Sequence, residues 1–220
     1  MTGAEMVVKT LEKNGVKVVF GYPGAANCPI IDKLSFSSIK HILTRNEQGA
    51  AHMASGYARV TKQAGVCTAT SGPGATNLIT GIATAYMDSI PMVALTGQVA
   101  TKLIGKDAFQ EVDITGATLP FTKHSYLIKD GLDIPRVVNE AFHIANTGRP
   151  GPVLIDFPMD LLKKEFDYPD EDEDVNIRGY KLMGKANESQ VKKVAEAIKG
   201  AKKPVILAGG GVVISDATNE

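Results

Sequence analysis

The chain has 220 residues, of which 44% are hydrophobic and 22% charged, and its 24 basic residues balance its 24 acidic ones. These are ordinary values for a globular protein, and a net charge of zero gives no reason to expect nucleic acid or a membrane surface as a partner. Because no apolar run approaches the roughly 18–20 residues of a membrane span and the N-terminus lacks a signal-peptide pattern, we expect a cytoplasmic protein.

Helical and strand patterns alternate along the first 160 residues. A first helix is predicted over residues 3–14, with a capping box at Thr2 and Glu5 and a terminating Gly15. Uninterrupted apolar runs predict buried strands at residues 16–20, 39–44, 65–70, 91–96, 124–129 and 153–156. Helices are predicted between them from Glu47 onward, over residues 71–86 and over residues 134–146. This alternation is typical of an α/β fold, a parallel sheet with helices on both faces.

The composition changes sharply beyond residue 163. Residues 166–176 are crowded with acidic side chains and contain few apolar ones, as is typical of a solvated linker. An amphipathic helix over residues 188–199 and a strand over residues 204–208 then begin a second α/β unit, which we expect to continue in a longer natural chain. The predicted division is a domain over residues 1–163, a linker over residues 164–186 and an incomplete second domain over residues 187–220.

The two cysteines, Cys28 and Cys67, form neither a metal-binding spacing nor a disulfide framework. Both are predicted to be small buried side chains in a reducing cytosol. We predict no metal ligands among these 220 residues. Asp156 and Asp160, on either side of Pro158, are predicted to close a strand end rather than to form an acid–base pair.

Glu47 lies where a predicted strand gives way to a predicted helix. Small and apolar residues recur at helical spacing after it, and the strand at residues 39–44 precedes it. A carboxylate there is either a helix N-terminal charge, which contributes roughly a few tenths of a kcal/mol, or a catalytic group. The second interpretation follows from its place at the carboxyl end of a strand, where open α/β sheets bind their ligands.

Three glycine-bearing turns are predicted to gather at the same edge as Glu47, at residues 21–24, 71–74 and 96–98. Each glycine permits a tight turn and a close approach to a ligand. Pro73 suits the first turn of a helix, whose free N–H groups favour an anion, so residues 71–77 are a candidate phosphate loop. The alternative is an ordinary strand-to-helix turn, because Asn77 stands where a dinucleotide-binding motif requires a glycine.

Eight sequence blocks decide between these interpretations by their order: GYPG at 21–24, RNEQGAAH at 45–52, GYAR at 56–59, ATSGPGATN at 69–77, MDSIPM at 87–92, TGQV at 96–99, DAFQE at 107–111 and GRPGPVLID at 148–156. Together they resemble the N-terminal, pyrimidine-binding domain of thiamin-diphosphate enzymes. Among these enzymes the resemblance is greatest to the catalytic large subunits of acetolactate synthases. It covers residues 1–160 almost continuously.

The resemblance implies that Glu47 is catalytic. In this family the corresponding glutamate hydrogen-bonds a ring nitrogen of the cofactor's aminopyrimidine, which allows the pyrimidine to take the proton from the thiazolium carbon. The cofactor then decarboxylates pyruvate and joins the remaining two-carbon unit to a second 2-keto acid. Gln110 is implied to be a second catalytic residue, which approaches the cofactor across the mouth of the site. The other implied cofactor contacts here are Tyr22, Pro23, Gly24, Thr70, Pro73 and Asn77.

The same resemblance replaces the phosphate-loop interpretation. In the family the diphosphate and its Mg²⁺ lie on a C-terminal domain, whose Gly-Asp-Gly motif these residues do not contain. Gly209, Gly210 and Gly211 match the opening of the central domain, where biosynthetic members bind FAD, although an ordinary turn would also explain them. A complete site would combine halves from two subunits, so we expect a homodimer or homotetramer, with a small regulatory subunit as a further partner. The 220 residues alone are expected to be inactive.

Two alternatives remain at this point. One is another thiamin-diphosphate enzyme, such as a glyoxylate carboligase, pyruvate oxidase or 2-keto acid decarboxylase; the other is a non-catalytic binding module. The blocks at residues 87–92 and 107–111 favour the synthase because they extend beyond the shared cofactor contacts. The chain departs from the family pattern at four positions: Ala25, Asn46, Ala100 and Met159.

Overall fold

The computed structural model describes residues 1–168, 175–182 and 184–219, which form two compact units, Met1–Arg178 and Gly179–Glu220. Most of the acidic side chains of the predicted linker lie outside the described residues. Before them in the chain, Phe166 and Tyr168 pack against the hydrophobic core of the first unit. The division into domains at residues 163 and 186 stays a prediction.

The first unit contains six parallel strands in the order β2-β1-β3-β4-β6-β5. Its elements are α1 (Gly3–Lys13), β1 (Val18–Gly21), α2 (Cys28–Leu34), β2 (Lys40–Leu43), α3 (Glu47–Thr61), β3 (Gly65–Ala69), α4 (Pro73–Asn77), α5 (Ile79–Met87), β4 (Met92–Gln98), α6 (Ile114–Thr118), β5 (His124–Leu127), α7 (Ile134–Asn146), β6 (Pro152–Pro158) and α8 (Met159–Lys163). The predicted α/β fold with a parallel sheet is confirmed.

Two hydrophobic cores cover the opposite faces of the sheet. Along β4, Val93 and Leu95 join one core while Met92 and Ala94 join the other, because successive strand side chains point to opposite faces. The first core also contains large aliphatic side chains from α1, α2 and α7. The second is rich in alanine, and α3 contributes Ala50, Ala51, Ala54 and Ala58 to it.

The start and the end of helix α1 both follow from its local sequence. Thr2 Oγ1 accepts a hydrogen bond from the Glu5 N–H, and the Glu5 carboxylate accepts one from the Thr2 N–H, which confirms the predicted capping box. Gly15 follows the helix with φ of +75°, a conformation that favours glycine. The helix predicted over residues 134–146 is α7.

Several expectations for the strands and helices of the first unit were wrong. Strands β2 and β5 are only partly buried because each is an edge strand with a single neighbour; Lys40, Leu43 and His124 are exposed. Residues 96–98 lie within β4 rather than in a turn. There Gly97 allows close packing, since a Cβ on it would lie 2.5 Å from the backbone of Ala26. The helix predicted over residues 71–86 is divided into α4 and α5 at Leu78.

The cysteines differ from each other. Cys67 is buried in β3, and desolvation raises the pKa of its thiol to about 12, as expected for an inert core residue. Cys28 is exposed at the start of α2, so the prediction that both are buried was wrong.

The second unit contains α9 (Glu188–Gly200) and α10 (Gly210–Ile214). Its first helix agrees with the prediction, but the strand predicted over residues 204–208 is absent from the described part of this unit. Val205, Ile206 and Leu207 are 93%, 80% and 97% exposed. A segment becomes a β-strand only when its backbone hydrogen-bonds to a neighbouring strand, and residues 204–208 have no such neighbour among the described residues. Among all described residues, no helix is long and apolar enough to cross a membrane.

Candidate active site

The sheet has a topological switch point at β1. The chain goes from β1 to β2 on one side and later returns to β3 on the other side. Connections that leave neighbouring strands in opposite directions open a crevice at the carboxyl ends of those strands. The turn after β1, the start of α3 after β2 and the turn after β3 therefore meet at one edge of the sheet.

Glu47 is the first residue of α3 at this edge. The preceding Asn46 caps the helix, since its Oδ1 accepts a hydrogen bond from the Gln48 N–H at 2.7 Å. Glu47 is half-buried, and its Oε2 accepts a hydrogen bond from Asn77 Nδ2 at 3.0 Å. The described residues supply no donor for Oε1. One carboxylate oxygen is thus held by the protein and the other is available to a ligand.

The turn at residues 21–24 is organised by Asn27, which is fully buried. Its Oδ1 accepts from the Gly24 N–H at 2.8 Å, and its Nδ2 donates to Tyr22 O and Thr68 Oγ1, both at 3.2 Å. Sequence reasoning missed Asn27, and the only available signal was a polar residue among small ones. Three bonds from one amide fix the turn while the Tyr22 side chain stays 42% exposed.

Close packing joins this turn to the turn after β3. A Cβ on Gly24 would lie 2.5 Å from Thr70 Cβ, and one on Gly74 would lie 2.8 Å from Thr70 Cγ2 and 3.4 Å from Glu47 Oε1. Thr70 Oγ1 also accepts a hydrogen bond from the Ala26 N–H. The absence of a side chain at Gly24 therefore lets the two turns pack together, and its absence at Gly74 lets the turn after β3 approach Glu47.

Gln110 reaches the same place from the long connection after β4. A Cβ on Gly72 would lie 2.7 Å from the carbonyl oxygen of Gln110. Gln110 itself is exposed, with φ of +57°, and the neighbouring Phe109 is 88% exposed. Pro73 is exposed at the first position of α4, next to this contact.

The structure thus gathers most of the sequence-predicted site residues at one crevice: Tyr22, Pro23, Gly24, Glu47, Thr70, Pro73, Asn77 and Gln110. Gly209, Gly210 and Gly211 belong to the second compact unit, where Gly210 begins α10. In the described part of the chain, no group of three or more His, Cys, Asp or Glu side chains is arranged to hold a metal ion.

A buried polar network lies beside the crevice, at the carboxyl ends of β4 and β6. Asp156 is 1% exposed and accepts hydrogen bonds from Thr96 Oγ1 at 2.7 Å and Gln98 Nε2 at 2.8 Å. Burial raises the pKa of Asp156 to about 7; the two hydrogen bonds oppose the rise, and the charge of Asp113 adds to it. Sequence reasoning placed Asp156 at a strand end but missed this network.

The raised pKa of Asp156 predicts a pH dependence of stability. Its pKa rises from 3.8 to about 7 on folding, so the native state holds the proton more tightly than the unfolded state. The stability from this group is full below pH 3.8 and is lost as pH rises through about 7. Asp156→Asn stays neutral, so its free energy of unfolding should improve relative to wild type with rising pH, by at most about 4 kcal/mol.

Urea unfolding of both proteins at several pH values between 5 and 8 measures this difference directly. Carboxylates whose pKa is lowered in the folded protein, such as Glu5 and Glu111, affect both proteins equally and cancel. A difference that does not change over this range would contradict the prediction.

The chain is similar to known proteins over its whole length. Residues 1–117 match the family described as thiamine pyrophosphate enzyme, N-terminal TPP binding domain. Over its whole length the chain is 56% identical to the probable acetolactate synthase large subunit of Methanocaldococcus jannaschii, of which it covers 38%. It is 54% identical to the acetolactate synthase of Mycobacterium bovis, covering 36%, and 52% identical to the acetolactate synthase large subunit of Buchnera aphidicola, covering 39%.

The chain therefore spans well under half the length of these relatives. The family match covers more than half of the chain itself, including Glu47, Asn77 and Gln110. The chain belongs to the thiamine pyrophosphate enzymes and contains their N-terminal TPP-binding domain.

Proposed function

We propose that these residues are the N-terminal part of an acetolactate synthase large subunit, which decarboxylates pyruvate and joins the product to a second 2-keto acid. The observation that carries the proposal is the half-buried Glu47 carboxylate, whose Oε1 is available at the switch-point crevice. Support for the synthase rather than another member of the family comes from the relatives above, which are named acetolactate synthases.

The residues present fit the pyrimidine end of thiamin diphosphate. Glu47 Oε1 has no donor among the described residues, and the missing side chain of Gly74 leaves room beside it, since a Cβ there would lie 3.4 Å away. When bound, thiamin diphosphate acts as the electron sink for decarboxylation of a 2-keto acid. Tyr22, Pro23, Gly24, Thr70 and Pro73 would border the ring.

Glu47 would hold a proton between Oε1 and a ring nitrogen of the cofactor. Asn77 orients the carboxylate for this role, because its Nδ2 bonds Oε2 at 3.0 Å and leaves the other oxygen to the ligand. A proton-transfer group needs a fixed position within hydrogen-bond reach of its partner. Gln110, exposed at the mouth, would contact the cofactor from the opposite side.

The remaining parts of the site would come from elsewhere in the assembly. We include in the proposal a Mg²⁺ ion that holds the diphosphate on another domain, and FAD at Gly209, Gly210 and Gly211. Two copies of the chain would form each active site, in a cytoplasmic homodimer or homotetramer. A small regulatory subunit is proposed because two of the relatives are named large subunits.

The test is product identity with the complete gene product, thiamin diphosphate and Mg²⁺. Pyruvate alone should give acetolactate, and pyruvate with 2-ketobutyrate should also give the mixed condensation product. Acetaldehyde as the main product would indicate a decarboxylase, and acetate with reduction of an acceptor would indicate an oxidase. Either result would overturn the proposed synthase activity.

A further inference from the structure

The connection from Val99 to Asp113 carries Gln110 but contains little regular structure. Its one regular element is a short 3-10 turn, Thr101–Leu103. Glu111 folds the connection on itself, because its carboxylate accepts hydrogen bonds from the N–H groups of Gly105 and Ala108. Side chains rather than strand pairing therefore determine where this loop lies.

Both ends of the loop are held by one side chain, Gln98, the last residue of β4. Gln98 is 4% exposed. Its Nε2 donates to the carbonyl oxygen of Val112 at 2.8 Å, and its Oε1 accepts from the Val99 N–H at 2.8 Å. A single buried amide thus joins the first residue of the loop to one near its end.

Asp156 determines which way this amide faces. The second hydrogen bond of Gln98 Nε2 goes to Asp156 Oδ2 at 2.8 Å, and Thr96 Oγ1 donates to Oδ1. Because Asp156 Oδ2 accepts from Gln98 Nε2, the amide nitrogen faces the carboxyl group and the amide oxygen faces the Val99 N–H. Turning the amide over would lose the bonds to Asp156, Val112 and Val99 together.

We propose that Asp156 and Gln98 are positioning residues for the active-site loop, which set the place of Gln110 at the mouth of the crevice. The proposal rests on the proposed function only for its effect on catalysis. Val112 is two residues from Gln110, whose backbone lies against Gly72, so a displacement of Val112 reaches the crevice directly. If Asp156 and Gln98 only stabilised the sheet, replacing them would not displace Gln110.

The test compares Gln98→Met with Thr96→Val in the complete, cofactor-free protein. Both variants remove one hydrogen bond to Asp156, but only the first removes the bonds to the loop. Amide hydrogen exchange over residues 99–113 should be about tenfold faster in Gln98→Met than in wild type and unchanged in Thr96→Val. Exchange in α7 serves as the internal measure of global stability.

Asp156→Asn is the conservative variant that keeps the mechanism testable if Gln98→Met folds poorly. Its amide oxygen can accept from Gln98 Nε2 while its nitrogen donates to Thr96 Oγ1, whose hydroxyl also lies 3.5 Å from the carbonyl oxygen of Ile155. Loop exchange in this variant should therefore match wild type. Loop exchange about tenfold faster than in wild type would overturn the hydrogen-bond arrangement assigned to Asp156.

Kinetics supply the second readout. In Gln98→Met we expect kcat to fall by about tenfold or more, since misplaced groups at a site are costly, with Thr96→Val staying near wild type. Equal effects of the two variants on loop exchange would overturn the positioning role, whatever the enzyme does. A wild-type protein without synthase activity would instead count against the proposed function alone, because the exchange experiment requires no turnover.

Discussion

Replacing Glu47 by glutamine in the complete protein should lower kcat by about 10²–10⁴-fold, the usual contribution of a positioned proton-transfer group. Glutamine keeps the size of the side chain, and its oxygen can still accept from Asn77 Nδ2. It cannot exchange a proton with a ligand at Oε1. Steady-state rates with pyruvate, together with hydrogen–deuterium exchange at the thiazolium carbon of the bound cofactor, measure the effect.

The matched control is Glu5→Gln. This substitution also removes a carboxylate from the first turn of a helix, but the helix is α1 rather than α3. If Glu47 were only a helix N-terminal charge, the two variants would each lose at most about 1 kcal/mol of stability and little activity. Proton exchange at the thiazolium carbon at the wild-type rate in Glu47→Gln would refute the assigned role.

Replacing Gly72 by alanine should disturb the crevice and the fold together. Gly72 has φ of +57° and ψ of −121°, a turn conformation that L side chains disfavour at a cost of about 1–3 kcal/mol. The new Cβ would also lie 2.7 Å from Gln110 O and 2.9 Å from Gln110 Cα, so the loop must move. We expect kcat/KM to fall by about 100-fold, the scale of a misplacement of about 1 Å.

Gly15→Ala separates backbone strain from displacement of the loop. Gly15 has φ of +75°, but beyond its chain neighbours no atom of the described residues lies within 4 Å of the place that an alanine Cβ would take, and the residue follows α1, away from the crevice. It should lose about 1–2 kcal/mol of unfolding free energy and keep full activity. Unfolding in urea and steady-state rates with pyruvate give both quantities, and equal losses of activity in the two variants would contradict the prediction.

The fold was largely predictable because its signals are local. The capping box at Thr2, the glycine after α1 and the apolar runs of the central strands each depend on a few consecutive residues. Strand order is not local, which is why the exposure of β2 was missed. The segment at residues 204–208 has the composition of a strand, but a strand also requires a partner that its sequence cannot specify.

The candidate site, like the fold, was predictable only where its signals are local in sequence. The residues around Glu47 were found from ordered sequence blocks. Asn27 lies in none of these blocks, and Gln98 lies in one that gives no sign of its role. Both are buried amides whose partners, Thr68 and Asp156, lie 41 and 58 residues away. Their roles depend on which strands are neighbours and in what register: Thr96 lies opposite Asp156 only once β4 pairs with β6. No local pattern contains that information.

The alanine-rich core beneath α3 has a consequence for how this protein can change during evolution. Gly81 of α5 faces Ala51 of α3 so closely that even a methyl group on Gly81 would collide with it. A larger residue at either position would tilt α3, and Glu47 lies at the end of that helix. Natural variation or laboratory selection at either position can therefore move the carboxylate without changing Glu47 itself.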